Sequence, residues 1–165
     1  MKMAFKGLRV LAAGCALLAA GCNEDPAPEG EAGATASASG KTMTAKAFVD
    51  ELVKVGTPCD TAQAEYSTAA SADGATVEKV AAAATAGAQT CETAVRAIEA
   101  IDVPAAMQPA RGLCAEGYKQ KVALMTFAAN ATYEADTEIA QMQTMANGIN
   151  AKLEECTASL KKLQG

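Results

Sequence analysis

The chain has 165 residues, enough for one domain of ordinary size with a tail, and a formal net charge of −5. About a quarter of it is alanine, 4% is aromatic, and both tryptophan and histidine are missing. Without histidine there can be no Ser-His-Asp or Cys-His nucleophile pair, no His-ligated haem, no HExxH zinc site and no imidazole proton shuttle. The acidic balance argues against a nucleic-acid partner, which needs a basic face to displace counterions.

Residues 1–22 read MKMAFKGLRVLAAGCALLAAGC. Lys2, Lys6 and Arg9 form a basic start, residues 10–20 are almost continuously apolar, and Ala19-Ala20-Gly21 places small residues before Cys22. The apolar run is too short for a spanning helix, which needs ~20 residues, and its flanks are those of an export signal. The end of this segment resembles the lipobox of bacterial lipoproteins, with Ala19 where that class prefers leucine and Leu18 one step earlier. The resemblance covers these 22 residues and implies cleavage before Cys22, whose sulfur and amine are then acylated. Cys15 follows an identical Leu-Ala-Ala-Gly run, but cutting there leaves an apolar core of only a few residues. Asn23, rather than aspartate, in the second position implies, by similarity to enteric lipoproteins, onward export to the outer membrane. Each buried methylene contributes ~0.8 kcal/mol, so several acyl chains hold firmly where one holds marginally. Losing 1–21 removes three cations from the −5 total and leaves −8.

Residues 22–42 hold the lipidated cysteine and a stretch of Gly, Pro, Ala, Ser and acid with no large apolar side chain. Such a sequence cannot bury enough surface to offset its ordering entropy, so it reads as a flexible linker. About twenty residues of this kind span ~25 Å as a random coil.

From residue 43 to 165 the apolar residues recur at alternating spacings of three and four, which predicts long amphipathic helices. The first seam runs Phe48, Leu52, Val55, Cys59, Ala62, Tyr66, Ala69. Gly56-Thr57-Pro58 interrupts it without shifting its phase, which predicts one kinked helix or two stacked pieces. The second seam runs Val77, Val80, Ala84, Gly87, Cys91, Ala94, Ile98, Ile101, after an Ala72-Asp73-Gly74 turn with Thr76 as cap. Asp102-Val103-Pro104 ends that helix. The third segment, about 105–132, has a broader stripe and starts regular winding near Pro109. The fourth seam runs Ile139, Met142, Ala146, Ile149, Leu153, Cys156, Leu160, Leu163, with Asp136 as the expected cap and Glu138 near the positive helix end. No alternating strand pattern is present. Four rods of similar length joined by short turns predict an all-α, antiparallel four-helix bundle. Its layout is similar to that of the periplasmic four-helix cytochromes, but CxxCH and axial histidine are missing, so no haem is implied.

Cys59, Cys91, Cys114 and Cys156 each occupy a seam. Neighbouring pairs are centred on residue 75, on 102–103 and on 135, which are the turns marked by Gly, Pro and capping residues. All four sulfurs should therefore share one layer. In an exported domain this predicts disulfides. Diagonal helices lie beyond the ~7 Å that a bridge allows. Two pairings remain open: Cys59–Cys91 with Cys114–Cys156, which staples each hairpin and is favoured, or Cys91–Cys114 with Cys59–Cys156. A four-thiolate metal site is the competing reading of the same residues, without the usual CxxC spacing.

The remaining features have plain explanations. Acids at 134, 136 and 138 suit capping and solvation; Asp50–Lys54 and Glu92–Arg96 suit helix-face pairs; Met107, Met125, Met142 and Met145 suit core filling. Tyr66, Tyr118 and Phe127 could line an apolar pocket, with core packing the more economical reading. The sequence shows no catalytic constellation and implies no cofactor. The expectation is a non-enzymatic envelope lipoprotein, anchored to the membrane by lipid, facing the periplasm and acting on an envelope protein partner. The alternatives are a binder of a small apolar ligand, or the four-cysteine metal site.

Overall fold

The computed structural model describes residues 43–164; the signal segment, Cys22 and the linker lie outside them. The described chain forms four long helices: α1 (Ala45–Ser71), α2 (Val77–Ala100), α3 (Gln108–Asn130) and α4 (Asp136–Gln164). They pack as an antiparallel bundle in which α1 meets α2, α2 meets α3, and α3 meets α4 along their lengths. The fourth side is different: α1 and α4 approach at only a few positions.

Local chemistry sets each boundary. Thr44 caps α1 by accepting from the Ala47 amide at 3.2 Å, and Thr76 caps α2 by accepting from Lys79 at 3.4 Å. Between them Gly74 takes φ +77°, the left-handed conformation that closes the turn without a Cβ clash. After α2, Pro104 opens a single 3₁₀ turn, Ala105–Met107, and α3 follows with Pro109 in its first turn. The Arg111 guanidinium donates to the Ile101 carbonyl at 2.9 Å, which ties the start of α3 to the end of α2.

Pro58 neither breaks α1 nor splits it into pieces. It sits on the exposed face, where water can satisfy the carbonyl it leaves without a donor. The seam of α1 also drifts from the heptad expectation. Gly56 and Ala70 are buried where Val55 and Ala69 were expected, because a straight helix turns every 3.6 residues rather than 3.5. On α4 only Met142, Ile149, Cys156 and Leu160 are buried, so its seam is narrow, in keeping with its sparse contact with α1. The expected Asp50–Lys54 and Glu92–Arg96 pairs are replaced by Lys46–Asp50 at 2.8 Å, Glu51–Lys54 at 3.3 Å and an Arg96–Thr93 bond at 3.4 Å.

The core falls into two apolar clusters along the axis. One holds Phe48, all four described cysteines, Ile98, Ile101, Tyr118 and Leu160, at the end where the chain enters α1. The other holds Tyr66, Val80, Leu124, Met125, Tyr133, Met142 and Ile149, at the opposite end. Alanine and glycine on the seams let the helices approach closely: an added Cβ at Gly117 would meet Leu153 at 2.7 Å.

Candidate functional site

The cysteines form two bridges, Cys59–Cys91 with Cα atoms 4.5 Å apart and Cys114–Cys156 with Cα atoms 4.9 Å apart. Each links the two helices of one hairpin, and all four residues are buried in the same cluster. Of the two pairings left open by the spacing, the hairpin staples are the ones formed. With these four cysteine sulfurs bonded in pairs, none of them is a thiolate in this form. Among the described residues, no group of three or more His, Cys, Asp or Glu is placed to hold a metal ion.

Beside the disulfide layer lies a polar bridge that the seam pattern did not reveal. Lys121 on α3 is only 3% exposed. Its ammonium forms a close ion pair with Asp60, next to Cys59 on α1, and lies 4.8 Å from the centre of the Tyr118 ring. The Tyr118 hydroxyl donates to the other Asp60 oxygen at 3.2 Å. These groups belong to α1 and α3, the diagonal of the bundle. A disulfide cannot span that distance, but lysine and tyrosine can. Gly56 makes the crossing possible, since a Cβ there would stand 2.1 Å from the Tyr118 oxygen. One turn beyond Asp60, the side-chain oxygen of Gln63 is buried with no hydrogen-bond partner. A spacing rule that scores apolar residues passes over Lys121. The signal that could have found it is its place seven residues after Cys114, on the same face.

A second polar device closes the opposite end. Tyr133 takes φ +60°, rare for a large side chain. Its hydroxyl donates to the Ala128 carbonyl at 2.7 Å, joining the Ala131 amide on one of the last carbonyls of α3. Its amide donates to Glu138 at 2.8 Å, and the Thr132 amide and hydroxyl reach the same carboxylate at 3.2 and 3.0 Å. The Thr132 amide first, then the Thr132 hydroxyl and the Tyr133 and Ala135 amides, hold the Glu138 carboxyl below its usual range. Asp136 is therefore not the cap. α4 begins at Asp136 itself, and Glu138 binds the incoming loop. Burial pushes the Tyr133 hydroxyl up, with its bond to Tyr66 adding to that. Burial likewise raises Tyr66, whose hydroxyl donates to the Met142 sulfur at 3.6 Å.

The aromatic residues do not gather around one chamber. Tyr118 belongs to the disulfide cluster, whereas Tyr66 and Phe127 pack in the opposite one. Met125 and Met142 are fully buried there as filling. Chemically, the described domain offers covalent bridges, a sequestered ion pair and a bonded loop, all of which hold helices together. No helix among the described residues is long and apolar enough to cross a membrane. Comparison with protein-family models, with curated proteins and with solved structures finds no match for this chain.

Proposed function

We propose that the protein is an exported, lipid-anchored, non-enzymatic module of a bacterial envelope. It faces the periplasm from the outer membrane and acts through its surface as a structural or interaction partner. The observation that carries this reading is the pairing of all four described cysteines inside the core. Such bridges persist in oxidising compartments and not in a reducing cytosol, which agrees with the export signal and lipobox-like end of residues 1–22. Lipid at Cys22 would supply membrane attachment by itself, leaving the helical domain free to meet a protein.

The test is metabolic labelling with a fatty-acid probe, followed by fractionation. The native chain should take up label and sediment with membranes. Cys22→Ser should lose the label and appear in the soluble envelope fraction. Labelling that persists in this variant would move the anchor to Cys15, and no labelling of the native chain would end the lipoprotein reading. Cross-linking in intact cells then addresses the domain: a discrete cross-linked product is expected, and recovery of the monomer alone would count against an interaction module.

A further inference from the structure

An open groove of about 780 Å³ lies at the end of the bundle where the chain enters α1. Its wall includes Met43, Ala47 and Val55 from the start of α1 and Ile101 from the end of α2, and Glu51 and Asp102 add carboxylates. Met43, the first described residue, is part of that wall. The residues just upstream, Ser37-Ala38-Ser39-Gly40-Lys41-Thr42, are small apart from one cation.

The charges around the groove are complementary to that cation. Glu51 is bonded to Lys54 and Asp50 to Lys46, but Asp102 has no bonded cation among the described residues. α2 ends beside it with no basic residue in its last turn, so helix carbonyls add to the negative potential there; Arg111 takes the Ile101 carbonyl only. Lys41 lies two residues before Met43, within ~7 Å along the backbone. Its aliphatic stem can lie on the apolar wall while its ammonium reaches the carboxylate.

We infer that residues 37–42 dock in this groove, with Lys41 paired to Asp102. The small side chains follow the groove, and the segment that joins the domain to its anchor is held against the bundle. The disulfide-bearing end is thereby kept toward the membrane and the Tyr133 end away from it. The docking does not depend on lipid at Cys22, so its failure would leave the anchoring proposal standing.

The experiment uses the full chain in detergent micelles and a zero-length carbodiimide, which joins lysine amines to carboxylates in contact. Lys119 and Glu99, 2.8 Å apart and half-exposed, provide an internal reference link. A Lys41–Asp102 link that dominates over Lys41–Asp50 and Lys41–Glu99 is expected. Links spread evenly over those acids would overturn the docking. Tryptic cleavage after Lys41 provides the second reading. Asp102→Asn should speed it by about two- to fivefold, the range for one exposed ion pair, and an unchanged rate would overturn the docking as well.

Discussion

The two halves of the bundle are built by different means. The half that receives the chain is stapled covalently: both disulfides lie in its cluster, with the Asp60–Lys121 pair beside them. Among the described residues the opposite half has no bridge. It relies on Tyr66, Met142 and Ile149 and on the bonded corner at Tyr133 and Glu138. The difference teaches where an alanine-rich core needs reinforcement. Alanine contributes little apolar area, and both halves share that deficit. Both halves hold large apolar side chains, and what differs is the tie between the helices around them: disulfides and an ion pair in one half, a hydrogen-bonded corner in the other.

Removing the staples should give the largest effect. The bridges close spans of 32 and 42 residues, and loss of either should cost about 2–5 kcal/mol. For a domain of this size that lowers Tm by roughly 10–20 °C. Cys59→Ala with Cys91→Ala should also loosen the halves unequally: hydrogen exchange should rise first around Phe48 and Ile98 and later around Tyr66 and Met142. A melting curve unchanged by the paired substitution, or by reductant, would remove the covalent side of the contrast.

Next comes the ion pair, which can be broken in two ways. Asp60→Ala leaves the Lys121 ammonium buried without its counter-charge. A fully buried pair broken like this costs about 3–5 kcal/mol; Asp60, whose side chain is 31% exposed, should sit nearer 2–3. Replacing both, Asp60→Ala with Lys121→Met, should recover most of that loss, because no orphan charge remains. Urea denaturation of the single and double variants decides it. Equal losses in both would mean that packing, not charge, makes this crossing important.

Much of this architecture was legible from spacing alone. Cysteine positions equidistant from residue 75, from 102–103 and from 135 placed the sulfurs in a common layer, since antiparallel neighbours at equal distance from a turn stand at equal height. What the spacing left open was the pairing, which depends on how closely α1 and α4 approach and not on the register of either. The diagonal bridge was illegible for a different reason. Lys121 is polar on an apolar stripe, and only the opening at Gly56 together with Asp60 opposite makes it acceptable there. The α3–α4 corner was misread because an acid at the first helical position suggests a cap. The actual device works over six residues, from Thr132 to Glu138, and depends on a tyrosine in a conformation that local propensity does not favour. The anchor, tether and partner rest on the sequence alone, because Cys22 and residues 23–42 fall outside the described part.

The smallest expected effect is the most specific to the unstapled half. Glu138 has a carboxyl held below its ordinary value of 4.5 in the folded chain, chiefly by the Thr132 amide. A group depressed on folding stabilises the native state above its unfolded pKa, and that contribution is lost as pH falls through the lower, folded value. The Tm of the native chain should therefore be steady near neutrality with respect to this group and decline below about pH 4.5. Glu78 on α2 is also held down, by its own amide and then by Thr76, so the raw acid slope includes both groups. The comparison that isolates the corner is native chain against Glu138→Gln. The amide keeps an acceptor for one donor but carries no charge, so this variant should start lower at neutral pH and lose less on acidification. The two curves should converge below pH 4.5. If they stay parallel throughout, Glu138 does not hold the corner through its charge, and the unstapled half depends on packing around Tyr66 and Tyr133 alone.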